Sequence, residues 1–413
     1  MSIRLLHFAD AHIDCAATGK KDPQTGLSVR TIDFLNALDQ IVDCALHESI
    51  DLVLFAGDAY RDPTPVPTFQ REWGKRMKRL SDARIPVLML PGNHDVSPAS
   101  TRANALQEYD TLEVPYLHLA KSIKLWKPTE LHDLPIQVLA VPWVPKSMMI
   151  AAFDTRRMTS DEIHQQLEFE ISKRIETAIG EIDPQIPAVL LAHYSVPGAE
   201  YPNHQAVSLG REVTLSGGLV KNPCFSYTAL GHIHKYQDLN EGFQPPVIYS
   251  GSIERVNFGE SSEEKGFIIA EIENHHTTCS FRKLSGRKFF NTEITISSAE
   301  SFQQEVLDAL PNQVDMRDAM VRLVVNYPQN WESSLDEMEI RKKTESALEF
   351  HLVRKAIQTQ RIRFQDHSGI SALSPMELLE KYCEIQSIDS GEIGVLMSLA
   401  QSIVDEDLQK FEI

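Results

Sequence analysis

Five short runs along this chain collect side chains that bind hard cations: Asp10-Ala-His12, Gly57-Asp58, Gly92-Asn93-His94-Asp95, Ala192-His193 and Gly231-His232-Ile233-His234. Taken singly, each has a bland reading. Asp10-Ala-His12 reads as a surface turn, Asn93-His94-Asp95 as the turn that Asn and Asp favour, and His232 and His234 as alternate residues of a strand. Taken together, Asp10, Asp58 and Asn93 offer oxygens, while His12, His193, His232 and His234 offer imidazole nitrogens, with no thiolate. That set suits manganese, iron or zinc in expanded coordination better than a structural zinc site. Two cations about 3.5–4 Å apart can clamp a phosphoester, activate a water and neutralise the phosphoryl oxygens. Phosphoester hydrolysis is the expected chemistry.

Ligands so far apart in sequence must converge, and an α/β sheet does this with loops at the carboxyl ends of its strands. Each run follows an apolar strand candidate: Ile3–Phe8, Leu52–Ala56, Val87–Leu90, Ala188–Ala192 and Tyr227–Leu230. Further strands are expected over Ile136–Val141, Val247–Ser250 and Phe267–Ile272. Helical patterns fill gaps, as at Thr31–Glu48 and Asp161–Ile179. Glycines 57, 92 and 231 permit tight turns. The alternation predicts a layered α/β core around a largely buried sheet.

The 413 residues exceed one ordinary core, so two or three domains are expected. Three are assigned: 1–288 as the catalytic domain, 289–370 as a small α+β cap and 374–413 as a helical tail. In the cap, a strand at Met320–Val325 lies between helices at Ser301–Leu310 and Ser334–Leu348, with a polar loop at Asn326–Ser334. In the tail, Ser374-Pro-Met-Glu377 is a capping box with Pro at the first helical position, and Asp389-Ser-Gly-Glu392 offers a second start. Helices over Pro375–Gln386 and Ser390–Gln409 follow, the second with an apolar stripe that the cap or a partner must cover.

The formal net charge of −18 argues mildly against a protein that grips nucleic acid alone. From 374 to 413 there are two lysines and nine acidic residues, 2 − 9 = −7. The basic run Arg71, Lys75, Arg76, Lys78, Arg79 interleaves with Trp73, Met77 and Leu80 at helical spacing. It is either a solvated helix face or a surface for a second copy or a DNA backbone. Arg282, Lys283, Arg287 and Lys288 could line DNA or simply be surface. His275 and His276 read as a solvated strand end, and His204 as a loop residue. Cys15, Cys44, Cys224, Cys279 and Cys383 are scattered and fit reduced thiols. No signal peptide or membrane span is legible, so a cytoplasmic location is expected.

The order D-x-H, G-D, G-N-H-D, H, G-H-x-H resembles the calcineurin-like metallophosphoesterase superfamily. Leu191–Ala199, Gly231–Lys235 and Tyr249–Gly259, together with the cap and tail, resemble its SbcD family of DNA-repair nuclease subunits. The resemblance implies a sandwich of β-sheets flanked by helices. It implies one cation held by Asp10, His12, Asp58 and His234 and a second held by Asp58, Asn93, His193 and His232, with Asp58 bridging and manganese the expected metal. It makes His94 the group that protonates the leaving oxygen or stabilises the transition state. Asp95 either orients His94 or serves the turn. Arg61 stands where such nucleases often carry His or Asp, and could contact a phosphate. The implied activity is double-strand exonuclease and single-strand endonuclease, by a homodimer acting on DNA with an SbcC-type coiled-coil ATPase bound to the tail. A small-substrate phosphodiesterase or phosphatase is the alternative.

Overall fold

The computed structural model describes all residues except 1, 17–18, 98–102, 146, 148–157, 203–206, 208–212, 358–374, 386–392 and 403–413. Its chain divides into two compact units. The first comprises 1–291 with 311–322 and 344–351, and the second 292–310, 323–343 and 352–413.

The first unit holds two six-stranded sheets. One contains β1 (Ile3–Phe8), β2 (Leu52–Phe55), β3 (Val87–Met89), β4 (Leu117–Leu119), β11 (Gly266–Glu273) and β12 (His276–Lys283), in the order β12-β11-β1-β2-β3-β4. The other contains β5 (Lys124–Trp126), β6 (Gln137–Val141), β7 (Ala188–His193), β8 (Tyr227–Gly231), β9 (Gln237–Asp238) and β10 (Val247–Tyr249), in the order β5-β6-β7-β8-β10-β9. Within each sheet four adjacent strands are parallel: β1 to β4 in the first, and β6, β7, β8 and β10 in the second.

Side-chain parity explains the layering. Ile3 and Leu5 of β1, Leu52 and Leu54 of β2, and Val189 and Leu191 of β7 share one core, the slab between the sheets. Their neighbours in the strands point the other way. Leu6, Phe8, Val53 and Phe55 pack against α1 (Val29–His47) and α2 (Pro67–Asp82), while Leu190 and Ala192 pack with Leu167, Ile171 and Ile175 of the helix Ser160–Ile179. Strands apolar on both faces are what a sheet covered on both sides requires. The result is a helix–sheet–sheet–helix sandwich.

Helix α2 resolves the basic run. Trp73, Met77 and Leu80 are buried in the core. The cations are matched by carboxylates: Arg71 and Lys75 by Glu72, Arg76 by Glu72 and Asp39, Lys78 by Asp82, and Arg79 by Asp39 and Asp43. Arg282, Lys283, Arg287 and Lys288 likewise pair with Glu48, Glu264, Asp33 and Asp315.

Strands β13 (Phe289–Thr295), β14 (Met320–Pro328) and β15 (Glu349–Ile357) form a three-stranded sheet in that order. Two expectations are corrected here. The polar stretch expected as a loop from Asn326 extends β14 to Pro328 and then turns through a short 3-10 helix, Gln329–Ser334. The helix expected to reach Leu348 ends at Lys343, because Glu349–Ile357 alternates and pairs as a strand. In the second unit Phe302, Val306, Tyr327 and Ile340 are buried. In the tail, Pro375–Ile385 and residues 393–402 are helical. The capping residues Ser374, Asp389 and Glu392 lie outside the described residues. No helix among the described residues is long and apolar enough to cross a membrane.

Candidate metal centre

The carboxyl ends of the parallel strands of both sheets meet at one place. The first sheet delivers Asp10 and His12 after β1, Asp58 after β2, and Asn93 and His94 after β3. The second delivers His193 at the end of β7, and His232 and His234 after β8. Backbone bonds lace the first two loops together: Asp10 N–H donates to the Gly57 carbonyl at 2.9 Å, and His12 N–H to the Asp58 carbonyl at 3.1 Å. Asp10, His12, Asp58 and His232 all have positive φ, at 51°, 38°, 61° and 95°. Non-glycine residues rarely adopt this region, and such strain concentrates at functional sites. Two glycines are required by close approach: a Cβ on Gly57 would overlap His193 Nδ1, and one on Gly92 would overlap Asp58 Oδ1.

The donor atoms face one another. His12 Nε2 lies 3.2 Å from His234 Nε2. Asn93 Oδ1 lies 3.0 Å from His193 Nε2 and 2.8 Å from His232 Nδ1. Between these groups, Asp58 Oδ2 is 3.7 Å from His12 Nε2 and 3.3 Å from His193 Nε2. Metal–ligand bonds of about 2.0–2.2 Å put neighbouring ligands roughly 2.8 Å (octahedral) to 3.6 Å (tetrahedral) apart, so all these separations but the longest fit polyhedron edges. Two groups could each hold an ion: Asp10 with His12 and His234, and Asp10 with Asp58 and His193. All seven sequence-predicted ligands therefore converge. Asp10 joins both groups, while a single oxygen of Asp58 reaches toward imidazoles of both.

The electrostatics favour a cation. Burial lowers His12 to about 3, leaving a neutral ring able to donate a lone pair. Burial also opposes charge on His193, but the Asp58 carboxylate outweighs it and raises His193 to about 9. His234 is raised against its burial by Glu260 and Asp10. The anionic field that attracts these protons attracts a divalent ion equally.

Asp95 and Arg61, both grouped with the catalytic candidates, occupy different places from the metal set. The buried Asp95 carboxylate accepts the amides of Gly92, Asp58, Ala59 and Tyr60 at 2.9–3.2 Å. It serves the turn and staples the loops after β2 and β3. Burial and the nearby Asp58 charge push it up to about 7, against the pull of those amides. The His94 ring is oriented by the Arg61 carbonyl, 2.9 Å from Nδ1. Arg61 thus enters through its backbone; its exposed guanidinium reaches the Cys15 carbonyl at 3.4 Å. His94 stands edge-on to His12, ring centres 5.1 Å apart, with Nε2 not used by that bond.

Residues that motif reading passed over complete the surroundings. The carbonyls of Ala56 and Tyr60 accept from Nδ1 of His193 and His12, at 2.6 and 3.3 Å. Glu260 Oε1 accepts from His234 Nδ1 at 3.0 Å. Trp143 stacks on His232 at 5.6 Å. Carbonyl partners leave no side-chain signal, and Glu260 had one only in following the Tyr249–Gly259 run.

A sandwich whose paired strand ends gather these donors defines a metal-dependent phosphoester hydrolase. Residues 3–236 match the calcineurin-like phosphoesterase family, more than half the chain, and the chain belongs to that family. The family uses a dimetal centre. The chain is also similar to three solved structures, each over 68% of its length. They are TT1561 of Thermus thermophilus (12% identity, TM-score 0.39, 99% of that chain), the purple acid phosphatase PPD1 from yellow lupin (Lupinus luteus) seeds (15%, 0.40, 52%) and a dimetal phosphatase from Danio rerio (12%, 0.39, 96%).

Proposed function

We propose that this hydrolase is a DNA nuclease, the double-strand exonuclease and single-strand endonuclease subunit of an SbcC–SbcD-type end-processing complex. In this reading Asp10, His12, Asp58 and His234 hold one divalent ion, and Asp58, Asn93, His193 and His232 hold the other, manganese being the expected metal. When bound, the pair supplies Lewis acidity and an activated water. Asp58 would be the residue shared between them. His94, held at Nδ1 by the Arg61 carbonyl, can carry a proton on Nε2 to the leaving oxygen.

One observation carries the step from phosphoesterase to complex subunit. The tail helix over 393–402 leaves Val395, Leu396 and Leu399 at 70%, 40% and 60% exposure. An exposed apolar face marks an interaction surface, and docking on a coiled-coil ATPase would cover it. The Tyr249–Gly259 run and the second unit support the same assignment. In this reading a partner would share the phosphate contacts that a net charge of −18 disfavours. A homodimer is part of this reading.

The second reading is a small-phosphodiester hydrolase, favoured by the neutralisation of the α2 cations. Manganese-dependent turnover of a chromogenic bis-ester against end-labelled linear duplex separates the two. Degradation of the duplex is expected; efficient bis-ester hydrolysis with intact duplex, partner and ATP present, would overturn the nuclease assignment.

A further inference from the structure

We infer that Glu260 and Lys265, which lie beyond the matched family residues, are positioning residues that lock His234 for cation binding. The inference rests on the dimetal reading of the site, not on the choice of DNA as substrate.

Glu260 closes a short 3-10 turn, Phe258–Glu260, and is fully buried. Its carboxylate accepts from His234 Nδ1 at 3.0 Å, the Val256 amide at 3.1 Å and Ser252 Oγ at 3.4 Å. It also pairs with Lys265 Nζ at 2.7 Å. Lys265 is 2% exposed and donates to the His234 carbonyl at 2.9 Å and to Glu263 at 2.8 Å. The amide of Ser252 reaches the same carbonyl at 3.1 Å. Two opposite charges thus hold one residue, the carboxylate at its ring and the ammonium at its backbone.

A buried ion pair is a poor route to stability, since desolvation cancels much of its attraction. A use for this one lies in what it does to the imidazole. His12, His193 and His94 each have Nδ1 against a neutral carbonyl, of Tyr60, Ala56 and Arg61. His234 has a carboxylate. That bond fixes the proton on Nδ1, aims Nε2 at the site beside His12 Nε2, and makes Nε2 the more basic donor. Lys265 neutralises the remaining carboxylate charge and fixes the backbone that carries the ring.

The test uses the full-length protein stripped of metal and titrated calorimetrically with Mn²⁺. Wild type is expected to take up two equivalents. Glu260→Gln, nearly isosteric, is expected to weaken one of the two by about 10–100-fold and spare the other. Nitrogen–proton correlation spectra of the histidine side chains give an independent readout. Recorded on the metal-free protein at a pH where the His234 ring is neutral, they should show the Nδ1–H tautomer in wild type and a mixture in Glu260→Gln. A folded Glu260→Gln variant binding both equivalents within twofold of wild type would overturn the inference. So would an Nε2–H tautomer in wild type, a result that needs no variant to fold. Failure of the dimetal reading looks different: wild type itself would bind no Mn²⁺.

Discussion

At the scale of single residues, the centre separates groups that hold from groups that react. Asp58 touches both halves of the donor set, so Asp58→Asn should remove most metal binding as well as hydrolysis. His94 lies outside the set. His94→Gln should lower kcat about 10²–10⁴-fold while Mn²⁺ affinity stays within a few-fold. Unchanged turnover in His94→Gln would remove it from the chemistry. The sign of the pH effect follows from the imidazoles. His193, raised to about 9, and His234, also raised, must each lose a proton to ligate. Metal uptake should therefore release protons, and apparent Mn²⁺ affinity should climb as pH rises from about 6.5 toward 9. Affinity that is flat across this window in calorimetry at several buffer ionisation enthalpies would contradict it.

At the scale of elements, α2 is anchored by its apolar stripe rather than its charges. Trp73 is fully buried, so Trp73→Ala should cost about 3–5 kcal/mol in denaturant unfolding. Arg79→Ala, losing half-exposed pairs with Asp39 and Asp43, should cost roughly 1 kcal/mol or less. Equal costs would mean the helix is held by its ion network. Between the sheets, His7 of β1 meets the Tyr227 hydroxyl of β8 at 2.8 Å. Burial lowers His7 to about 3, well below its ordinary value of 6.5. The unfolded chain takes the proton first as pH falls, so this stabilisation is whole above about 6.5 and fades toward pH 3. His7→Gln should flatten that part of the acid limb in chelator-treated protein. An unaltered slope of stability against pH would show that other groups govern it.

At the scale of the whole molecule, the candidate metal donors all lie within residues 10–234, inside one compact unit. The tail contributes none of them. Deleting 374–413 should therefore abolish binding to an SbcC-type ATPase and leave hydrolysis of short substrates near wild type. Full affinity of the truncated protein for that partner, measured by sedimentation or calorimetry, would defeat the tail assignment.

Periodicity and motif order by themselves determined a good deal. Eight apolar runs became strands within a residue or two of their expected ends, because strands buried on both faces must be apolar throughout. The seven candidate donors that the fold brings together were legible because cation chemistry demands particular side chains, and those leave letters in the sequence. Tertiary structure decided the rest. Short edge strands such as Lys124–Trp126 and the exposed β12 and β15 carry little apolar signal, since pairing rather than burial defines them. The Nδ1 acceptors of His12, His193 and His94 are carbonyls, which every residue owns and no letter marks. The turn-stapling role of Asp95, the backbone role of Arg61 and the grip of Glu260 and Lys265 on His234 depend on groups from separate loops meeting at about 3 Å. Neighbouring parallel strands of one sheet bring the Asp95 and Arg61 loops together, and only the packing of the two sheets brings the donors of the second sheet to those of the first.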